Sequence, residues 1–340
     1  MNIPYRTRYM LKRVAIVLLI IAVAAALVFT CWFVWLKRYV VYTRDHGAIL
    51  NMELSAQIAP GQEAQPPAEQ ETVSIYYNEG DNAINTGKEL TQLAGYYADA
   101  AALQAGVATV QEQIKALPVD VPIMLDVKSA RGNFFYSSTV TANRDSKVDI
   151  AAMDALIAQL SSSGRYLIAR MPALRDRDYG LNNVPDGVFD SRGAYLFMDD
   201  GGCYWLNPSR QGTISHLVQI VTELKSLGFD EVVFDDFCFP DTKYKSVKED
   251  EASALATAAK TLVTTCATER FAVSFVQNAG FALPDGRSRL YMKSAVAADA
   301  AILAQQSGVA DPALRLVFLT ENHDTRFEAY SVLRPLDAAH

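Results

Sequence analysis

The chain has 340 residues, half of them hydrophobic, and a formal net charge of −7 at neutral pH. Six of its 31 basic residues and none of its 38 acidic residues precede position 39, so the remainder carries a net charge of −13. This balance argues against nucleic acid, or any other anionic polymer, as a partner held by charge alone. It leaves neutral glycans open as partners.

The N-terminal segment has the pattern of a membrane anchor. Residues 14–36 form an uncharged apolar run, long enough to cross a hydrocarbon core of ~30 Å as a helix. Residues 1–13 carry four basic and no acidic side chains, which favours a cytoplasmic N-terminus. The alternative, a cleaved signal peptide, would have a shorter apolar region ending in small residues. The pattern therefore predicts a single-pass protein of the cell membrane with an extracytoplasmic C-terminal domain.

Residues 37–72 are interpreted as a stalk between the membrane and a folded domain. Their central part, 58–71, is polar, rich in Pro and Gln, and aperiodic, as linkers are. Residues 73–335 then provide about 260 residues, a usual size for one (β/α)8 barrel.

Strands and helices alternate in the predicted elements of this domain. The pattern predicts six strands, at 73–77, 121–127, 166–171, 232–234, 271–276 and 314–319. It predicts helices at 90–117, 150–160, 213–227, 249–266 and, in part, 294–305. This order is typical of the α/β class, with a parallel sheet and helices outside. Six strands rather than eight leave open an incomplete TIM-type barrel or a doubly wound sheet.

The most informative segment is LGFDEVVFDDFCFP, residues 227–240. Its apolar run at 232–234 is typical of a parallel strand covered on both faces. Asp235 and Asp236 follow at the carboxyl end of that strand. Active sites of α/β barrels and open α/β sheets form at this end of the strands. Charge there is costly unless it is solvated, paired or used.

Residues 229–240, FDEVVFDDFCFP, resemble FDEIQFDYVRFP, the hallmark of the putative glycoside hydrolase domain family. Three further segments are similar to family motifs in the same order: MLDVKSARGNFFY at 124–136, YLIARM at 166–171 followed by Arg175 and Asp176, and WLNP at 205–208. The resemblance covers about residues 120–240. It implies a secreted or membrane-anchored (β/α)8 barrel, related to amylase-type hydrolases, that acts on a cell-envelope or environmental polysaccharide.

Three positions depart from the family pattern. Asp236 replaces the hallmark Tyr, Cys238 replaces the hallmark Arg, and Asn207 replaces the Asp of the WxDP motif. An arginine that could hold a substrate is therefore absent at 238. This departure motivates an alternative function, in which the barrel binds an envelope glycan or a protein partner without turnover.

Glycoside hydrolysis requires two carboxyl groups across the scissile bond, one protonated as the acid and the other acting as nucleophile or base. Asp235 aligns with the family's most distinctive carboxylate and is the first catalytic candidate. Glu321, after the last predicted strand, and Asp236 are the candidate partners. Because neighbours along a strand point to opposite faces, Asp235 and Asp236 are not expected to face one sugar.

Five further residues are candidates for substrate binding. Asp126 and Lys128, two positions apart, are expected to share a face at a strand end. Arg170 would neutralise nearby carboxylates, and Tyr204 and Trp205 would offer aromatic faces to a sugar ring. The structural alternatives are an ion pair for the charged residues and core packing for Trp205.

No metal and no cofactor is expected. The four histidines show no pair at the helical spacing of a zinc site. The sequence has neither a nucleophile elbow nor a phosphate-binding loop. Its four widely spaced cysteines define neither a zinc pattern nor a disulfide framework.

Overall fold

The structure, a computed structural model, describes five stretches of the chain: residues 40–43, 47–50, 89–247, 249–278 and 281–336. The predicted membrane segment 14–36 and the predicted strand 73–77 lie outside them. In the part of the chain that is described, no helix is long and apolar enough to cross a membrane.

The chain divides into two compact units, Met1–Gly80 and Asp81–His340. Within the first unit, Val40–Thr43 pairs with Gly47–Leu50 as an antiparallel hairpin. This hairpin falls in the segment that the sequence pattern assigns to the stalk.

The second unit contains a closed barrel of eight parallel strands. Its strands β1 to β8 are Ala94–Ala98, Ile123–Asp126, Leu167–Pro172, Glu231–Asp235, Ala272–Val276, Leu290–Lys293, Leu316–Leu319 and Ser331–Pro335. Each strand pairs with the next along the chain, and β8 pairs with β1. The predicted TIM-type barrel is confirmed, and the barrel is complete.

Helices connect most of the barrel strands. Helices α1 to α7 are Ala100–Lys115, Ile150–Ser162, Arg177–Asn182, Gln211–Ser226, Glu251–Cys266, Ala300–Gln306 and Pro312–Arg315. Four of them begin at an aspartate whose carboxylate accepts a hydrogen bond from the backbone N–H three residues on, the usual N-cap arrangement. These caps are Asp99, Asp149, Asp176 and Asp250.

Short elements complete the domain. Three 3₁₀ turns lie at Val184–Asp186, Ala297–Asp299 and Thr325–Phe327. The two-residue strands Phe189–Asp190 and Lys245–Ser246 pair with each other outside the barrel. They belong to the loops that follow β3 and β4, at the carboxyl end of the barrel.

Three of the eight strands were not predicted. The sequence pattern placed a helix over 90–117, whereas Ala94–Ala98 is a strand and the helix begins only at Ala100. Alanine-rich composition suits a helix, but Gly95 lets two strands approach closely: a Cβ there would lie 2.3 Å from the carbonyl oxygen of Pro122. The strands β6 and β8 are held in the barrel by their neighbours: β6 by β5 and β7, and β8 by β7 and β1.

Glu231 is the centre of a polar network inside the barrel, at the amino end of the strands. Its side chain is fully buried and forms an ion pair with the fully buried Arg289. The hydroxyls of Tyr166 and Tyr291 each donate to it over 2.9 Å, and Ser274 donates to it as well. The network thus ties β4 to strands on both sides of it.

The guanidinium of Arg289 also has hydrogen-bond acceptors for its other N–H groups. Besides the ion pair, its guanidinium donates to the carbonyl oxygen of Thr91 over 2.8 Å and to that of Leu314 over 3.0 Å. A buried charge is tolerated when it is paired and its remaining donors have acceptors. The network therefore fixes the relative positions of segments up to 198 residues apart.

We expect Arg289→Met to lower the free energy of unfolding by about 3–5 kcal/mol, because it leaves the carboxylate of Glu231 buried without its partner. The double variant Glu231→Gln with Arg289→Met should lose less, since no unpaired charge remains. Urea unfolding of the full-length chain, followed by far-UV circular dichroism, measures both. Lys115→Met is the control, because it removes only an exposed ion pair with Glu112. A loss for Arg289→Met no larger than the loss for this control would contradict the expectation.

Candidate active site

Charged side chains gather at the carboxyl end of the barrel. The interior is filled by a buried cluster that includes Met124, Ile168, Val233 and Tyr291. Residues two positions further along the same strands face the same way, and these are Asp126, Arg170, Asp235 and Lys293. Four strands thus place two carboxylates and two cations at the barrel mouth, the end at which active sites of such barrels form.

Asp126 and Arg170 form a two-pronged ion pair at the mouth. Arg170 Nε lies 2.6 Å from Asp126 Oδ1, and its Nη2 lies 2.9 Å from Oδ2. The N–H of Ala100, at the start of α1, donates to the same carboxylate over 2.8 Å. Burial alone would lower the pKa of Arg170, but the hydrogen bonds and charge of Asp126 raise it. The pair therefore stays charged and holds β2, β3 and α1 in register.

Asp235 forms the second ion pair, with Lys293 at the end of β6. Its other oxygen accepts a hydrogen bond from the N–H of Asp236 over 2.9 Å. The side chains of Asp235 and Lys293 are 17% and 44% exposed, so this pair faces the open mouth. The two contacts fix the orientation of the Asp235 carboxylate.

Asp236 has a different environment from its neighbour. Burial, and then the negative charge of Asp235, raise the pKa of the Asp236 carboxyl. Its φ of 47° lies in the left-handed region, which is uncommon for a residue other than glycine. Strand geometry ends at Asp235, so the alternation that was expected to point the two carboxyls to opposite faces does not extend to Asp236.

Lys128 lies in a buried ion pair rather than on the open mouth. Strand β2 ends at Asp126, so the two residues do not share a strand face as expected. The Lys128 ammonium lies 2.7 Å from Asp176 Oδ2, with both side chains buried. Burial would raise the pKa of Asp176, but the charge of Lys128 and the hydrogen bonds hold it well below its usual range. The pair joins the end of β2 to the cap of α3.

His216 borders this pair. Its Nε2 lies 3.6 Å from Asp176 Oδ2, beyond hydrogen-bond distance, and its ring stacks on Tyr179 with centroids 3.9 Å apart. Burial lowers the pKa of the imidazole. His216 is therefore neutral at pH 7, and its ring contributes packing against Tyr179 rather than charge.

Trp205 and Tyr204 lie on the loop that follows β3, and both are half-buried. The Trp205 Nε1–H donates to Asp199 Oδ2 over 3.0 Å, and Arg175 pairs with the same oxygen at 2.6 Å. The Arg175 guanidinium also lies 6.0 Å from the Trp205 ring centroid. Tyr204 packs closely over Gly180. These contacts anchor the loop, and sugar stacking by the two aromatic residues stays a prediction.

Glu321 lies on an exposed loop after β7. It lines a cavity of about 490 Å³ together with Tyr97 and Asp99. Tyr97 also contacts the mouth, because its ring lies 5.6 Å from the guanidinium carbon of Arg170.

Sequence reasoning missed Lys293, Tyr97 and Asp99. For Lys293 a signal was present: Arg289, Tyr291 and Lys293 alternate with Leu290 and Met292, the period of a strand with one polar face. Tyr97 and Asp99 were hidden in the alanine-rich segment assigned to a helix.

Side chains of the types that bind metals, and free thiols, are present among the described residues. None of their His, Cys, Asp and Glu side chains form a group of three or more that could hold a metal ion. Cys203, Cys238 and Cys266 are free thiols. Burial, followed by the charges of Asp236 and Asp235, raises the pKa of Cys238 to about 11, so this thiol is neutral at pH 7.

Residues 97–283 match the family described as "Putative glycosyl hydrolase domain". Solved structures similar to this chain include a hypothetical protein from Ruminiclostridium thermocellum, 19% identical with a TM-score of 0.40, where the match covers 47% of this chain and 87% of that one. The glycoside hydrolase domain of PelA from Pseudomonas aeruginosa is 12% identical with a TM-score of 0.44, covering 74% and 97%.

An inactive variant of a GH20 exo β-N-acetylglucosaminidase from Vibrio harveyi is 8% identical with a TM-score of 0.47, covering 72% of this chain. This chain spans half the length of that enzyme. No curated protein matches the sequence.

We expect Asp176→Asn to destabilise the chain by about 3–5 kcal/mol at neutral pH, because it leaves the Lys128 ammonium buried without its partner. The folded-state pKa of Asp176 lies below the unfolded value of about 3.9. Its contribution is therefore fully present above that value and is lost as the pH falls towards the folded-state pKa. The deficit of the variant should shrink below about pH 4.

Urea unfolding at pH 7, 5 and 3 measures this deficit. Asp149→Asn is the matched control, because asparagine preserves an N-cap and Asp149 caps α2 at the surface. A deficit of the Asp176 variant that is the same at pH 7 and pH 3 would show that the ion pair does not act through the charge of Asp176.

Proposed function

Since this chain belongs to the family of putative glycosyl hydrolase domains, we propose that it is a glycoside hydrolase in which Asp235 and Asp236 are the catalytic carboxyl groups. One observation carries the assignment: these neighbours at the barrel mouth have opposite electrostatic environments. Asp235 is paired with Lys293, whereas burial and the adjacent charge raise the pKa of Asp236. A carboxyl group whose pKa is raised, beside a carboxylate that is paired with a cation, is the arrangement that a general acid and its partner carboxylate require.

In the proposed reaction, protonated Asp236 donates its proton to the glycosidic oxygen as the bond to the anomeric carbon breaks. Ionised Asp235 acts on the other side, either by attacking that carbon or by taking a proton from the water that does so. Lys293 is a positioning residue, because it orients Asp235 and balances its charge. Asp236 is preferred to Glu321 as the acid because Glu321 is exposed, and burial is what favours a protonated carboxyl.

The neighbouring residues support this assignment by keeping the mouth rigid. The Asp126–Arg170 pair is only 13% exposed on each side and cannot rearrange without breaking two charge-assisted hydrogen bonds. Arg175 and Trp205 converge on Asp199 and anchor the loop after β3. In the proposed substrate complex, this loop and Trp205 would border the sugar. The substrate class proposed is a cell-envelope or environmental polysaccharide.

The test is release of reducing ends from a panel of purified envelope and matrix polysaccharides by the full-length chain. We expect Asp235→Asn and Asp236→Asn each to lower the rate by about 10²–10⁴-fold, with Asp241→Asn, an exposed neighbour, unchanged. The rate of the wild-type chain should fall as the pH rises through the raised pKa of Asp236, because the acid loses its proton. Asp236→Asn should lack this alkaline limb.

Unchanged release by a folded Asp235→Asn variant would overturn the assignment of the nucleophile or base. Binding of a polysaccharide without release, equal in wild type and Asp235→Asn, would favour the alternative of a glycan-binding barrel without turnover. In that case the cysteine at 238, in place of the family arginine, is the first position to revert.

We further propose that the barrel acts outside the cytoplasm on a membrane anchor. The uncharged run at 14–36 and the basic residues before it support this. Placing lysine at Val23 and Leu27 should move the full-length chain from the membrane pellet to the soluble fraction, since each mid-span lysine costs about 2.5–3.5 kcal/mol on insertion. Cell fractionation measures the shift, and protease added to intact cells should cleave the wild-type C-terminal domain. Protection of that domain in intact cells would contradict the orientation.

A further inference from the structure

A separate cavity lies between the loop that follows β2 and the helices α3 and α4, which together supply its lining residues. Its volume is about 250 Å³. This is somewhat less than the range of about 300–1,000 Å³ that is usual for drug-sized ligands. The cavity therefore suits one smaller molecule.

One buried side chain of this cavity has no hydrogen-bond partner. His216 lines the cavity and is only 7% exposed, and its Nε2 has no partner among the described residues. Asp176 Oδ2, in the same cavity wall, is 3.6 Å from Nε2, too far for a hydrogen bond. A buried polar atom that stays without a partner is destabilising, so a ligand that supplies the missing hydrogen bond is favoured.

The surroundings keep the imidazole from turning towards the carboxylate of Asp176. The ring of His216 stacks on Tyr179, whose hydroxyl donates to Asp186 over 2.9 Å. Asp176 in turn is held by the Lys128 ammonium and by the N–H of Tyr179. At the resulting separation, one ligand oxygen fits within hydrogen-bond distance of both groups. A hydroxyl group satisfies both, because it accepts from an imidazole N–H and donates to a carboxylate.

Amide side chains, rather than cations, make up much of the remaining polar lining. Asn182, Asn183 and Gln219 line the cavity, and each amide is both a donor and an acceptor. The Asn183 amide is oriented by its hydrogen bond to the carbonyl oxygen of Tyr179, over 3.0 Å. No lysine or arginine is among the described residues that line the cavity. This composition suits a neutral ligand with several hydroxyl groups better than a phosphate or a carboxylate.

We propose that this cavity is a second glycan site, which binds one neutral sugar unit through its hydroxyl groups. One hydroxyl bridges His216 Nε2 and Asp176 Oδ2, and neighbouring hydroxyls bond to the amides of Asn183 and Gln219. The choice of a sugar among such ligands rests on the proposed function, since a polysaccharide is the substrate class proposed for the mouth. A polysaccharide held here would raise the local concentration of sugar units at the barrel.

The test is binding of D-glucose, D-galactose and N-acetyl-D-glucosamine to the full-length Asp235→Asn variant, which separates binding from turnover. The chain is kept in a detergent without a sugar head group. The ring signals of its four histidines are followed by ¹H–¹⁵N NMR, and the spectrum of an added His216→Phe substitution identifies the signal of His216. We expect at least one of the three sugars to shift this signal with an affinity in the millimolar range.

Two added substitutions locate the site, with affinities measured by saturation-transfer NMR titration of the sugar. His216→Phe keeps a ring against Tyr179 and removes Nε2. Gln219→Leu removes the amide on the same face of α4, three residues further on. Each should weaken the binding about 3–10-fold, the effect of one lost hydrogen bond. Sugar bound at the mouth would appear as a component that neither substitution changes.

The stability of His216→Phe separates this role from a structural one. Because Nε2 has no partner in the folded chain, the midpoint of urea unfolding should stay the same or rise. His323→Phe is the matched control, since His323 is exposed on the β7–β8 connection and does not line the cavity. It should change neither the affinity nor the midpoint.

A His216 signal that none of the three sugars moves overturns the inference. So does an affinity that survives both substitutions, because the sugar would then be bound elsewhere. A large fall in the unfolding midpoint of His216→Phe also overturns it, because Nε2 would then have a partner within the chain. These outcomes leave the hydrolase proposal standing, since that is decided by polysaccharide release. Sugar bound at His216 without any release would support the cavity and overturn the hydrolase.

Discussion

The buried ion pair between Glu231 and Arg289 is the interaction on which the rest of the barrel depends. It crosses the barrel interior between the start of β4 and the residue before β6, and five further donors or acceptors complete it. Four residues further along the same two segments stand Asp235 and Lys293. Because residues four apart on a strand face the same way, the pair at the amino end sets the position of the pair at the mouth.

The ion pairs of the mouth differ in their exposure to solvent and in how firmly they are held. Asp126 and Arg170 are largely shielded from solvent and are joined by two hydrogen bonds, so they form a fixed wall of the mouth. Asp235 and Lys293 are more exposed, so a substrate can approach them. Asp236 adds a carboxyl held in a left-handed turn, an unusual backbone state that persists only where the surroundings impose it. The contrast between a paired carboxylate and a half-buried carboxyl whose pKa is raised supports the acid–base chemistry that we propose.

The distribution of charge also bears on selectivity. Where the family pattern has an arginine, this chain has Cys238, whose thiol is neutral. Arg170 and Lys293, the cations at the mouth, are paired with Asp126 and Asp235, so neither presents an unpaired charge to a ligand.

The sequence by itself determined the class of fold and the segment from which the proposed site starts. The strand at 232–234 and its two aspartates are local features, since an apolar run followed by charge depends on nearest neighbours. The N-caps at Asp149 and Asp250 and the helices that follow them are local for the same reason. The family resemblance, carried by the same local motifs, supplied the barrel.

Only the tertiary structure decided which charged residues meet. Lys293 reaches Asp235 across 58 positions, and Arg289 reaches Glu231 across the same separation, because barrel closure brings β4 and β6 together. Lys128 was expected at the mouth from strand alternation, but the chain leaves the strand after Asp126, and burial places its ammonium against Asp176. Strand preferences depend strongly on context, as β1, β6 and β8 show. Their pairing is fixed by neighbours distant in sequence, which no local pattern contains.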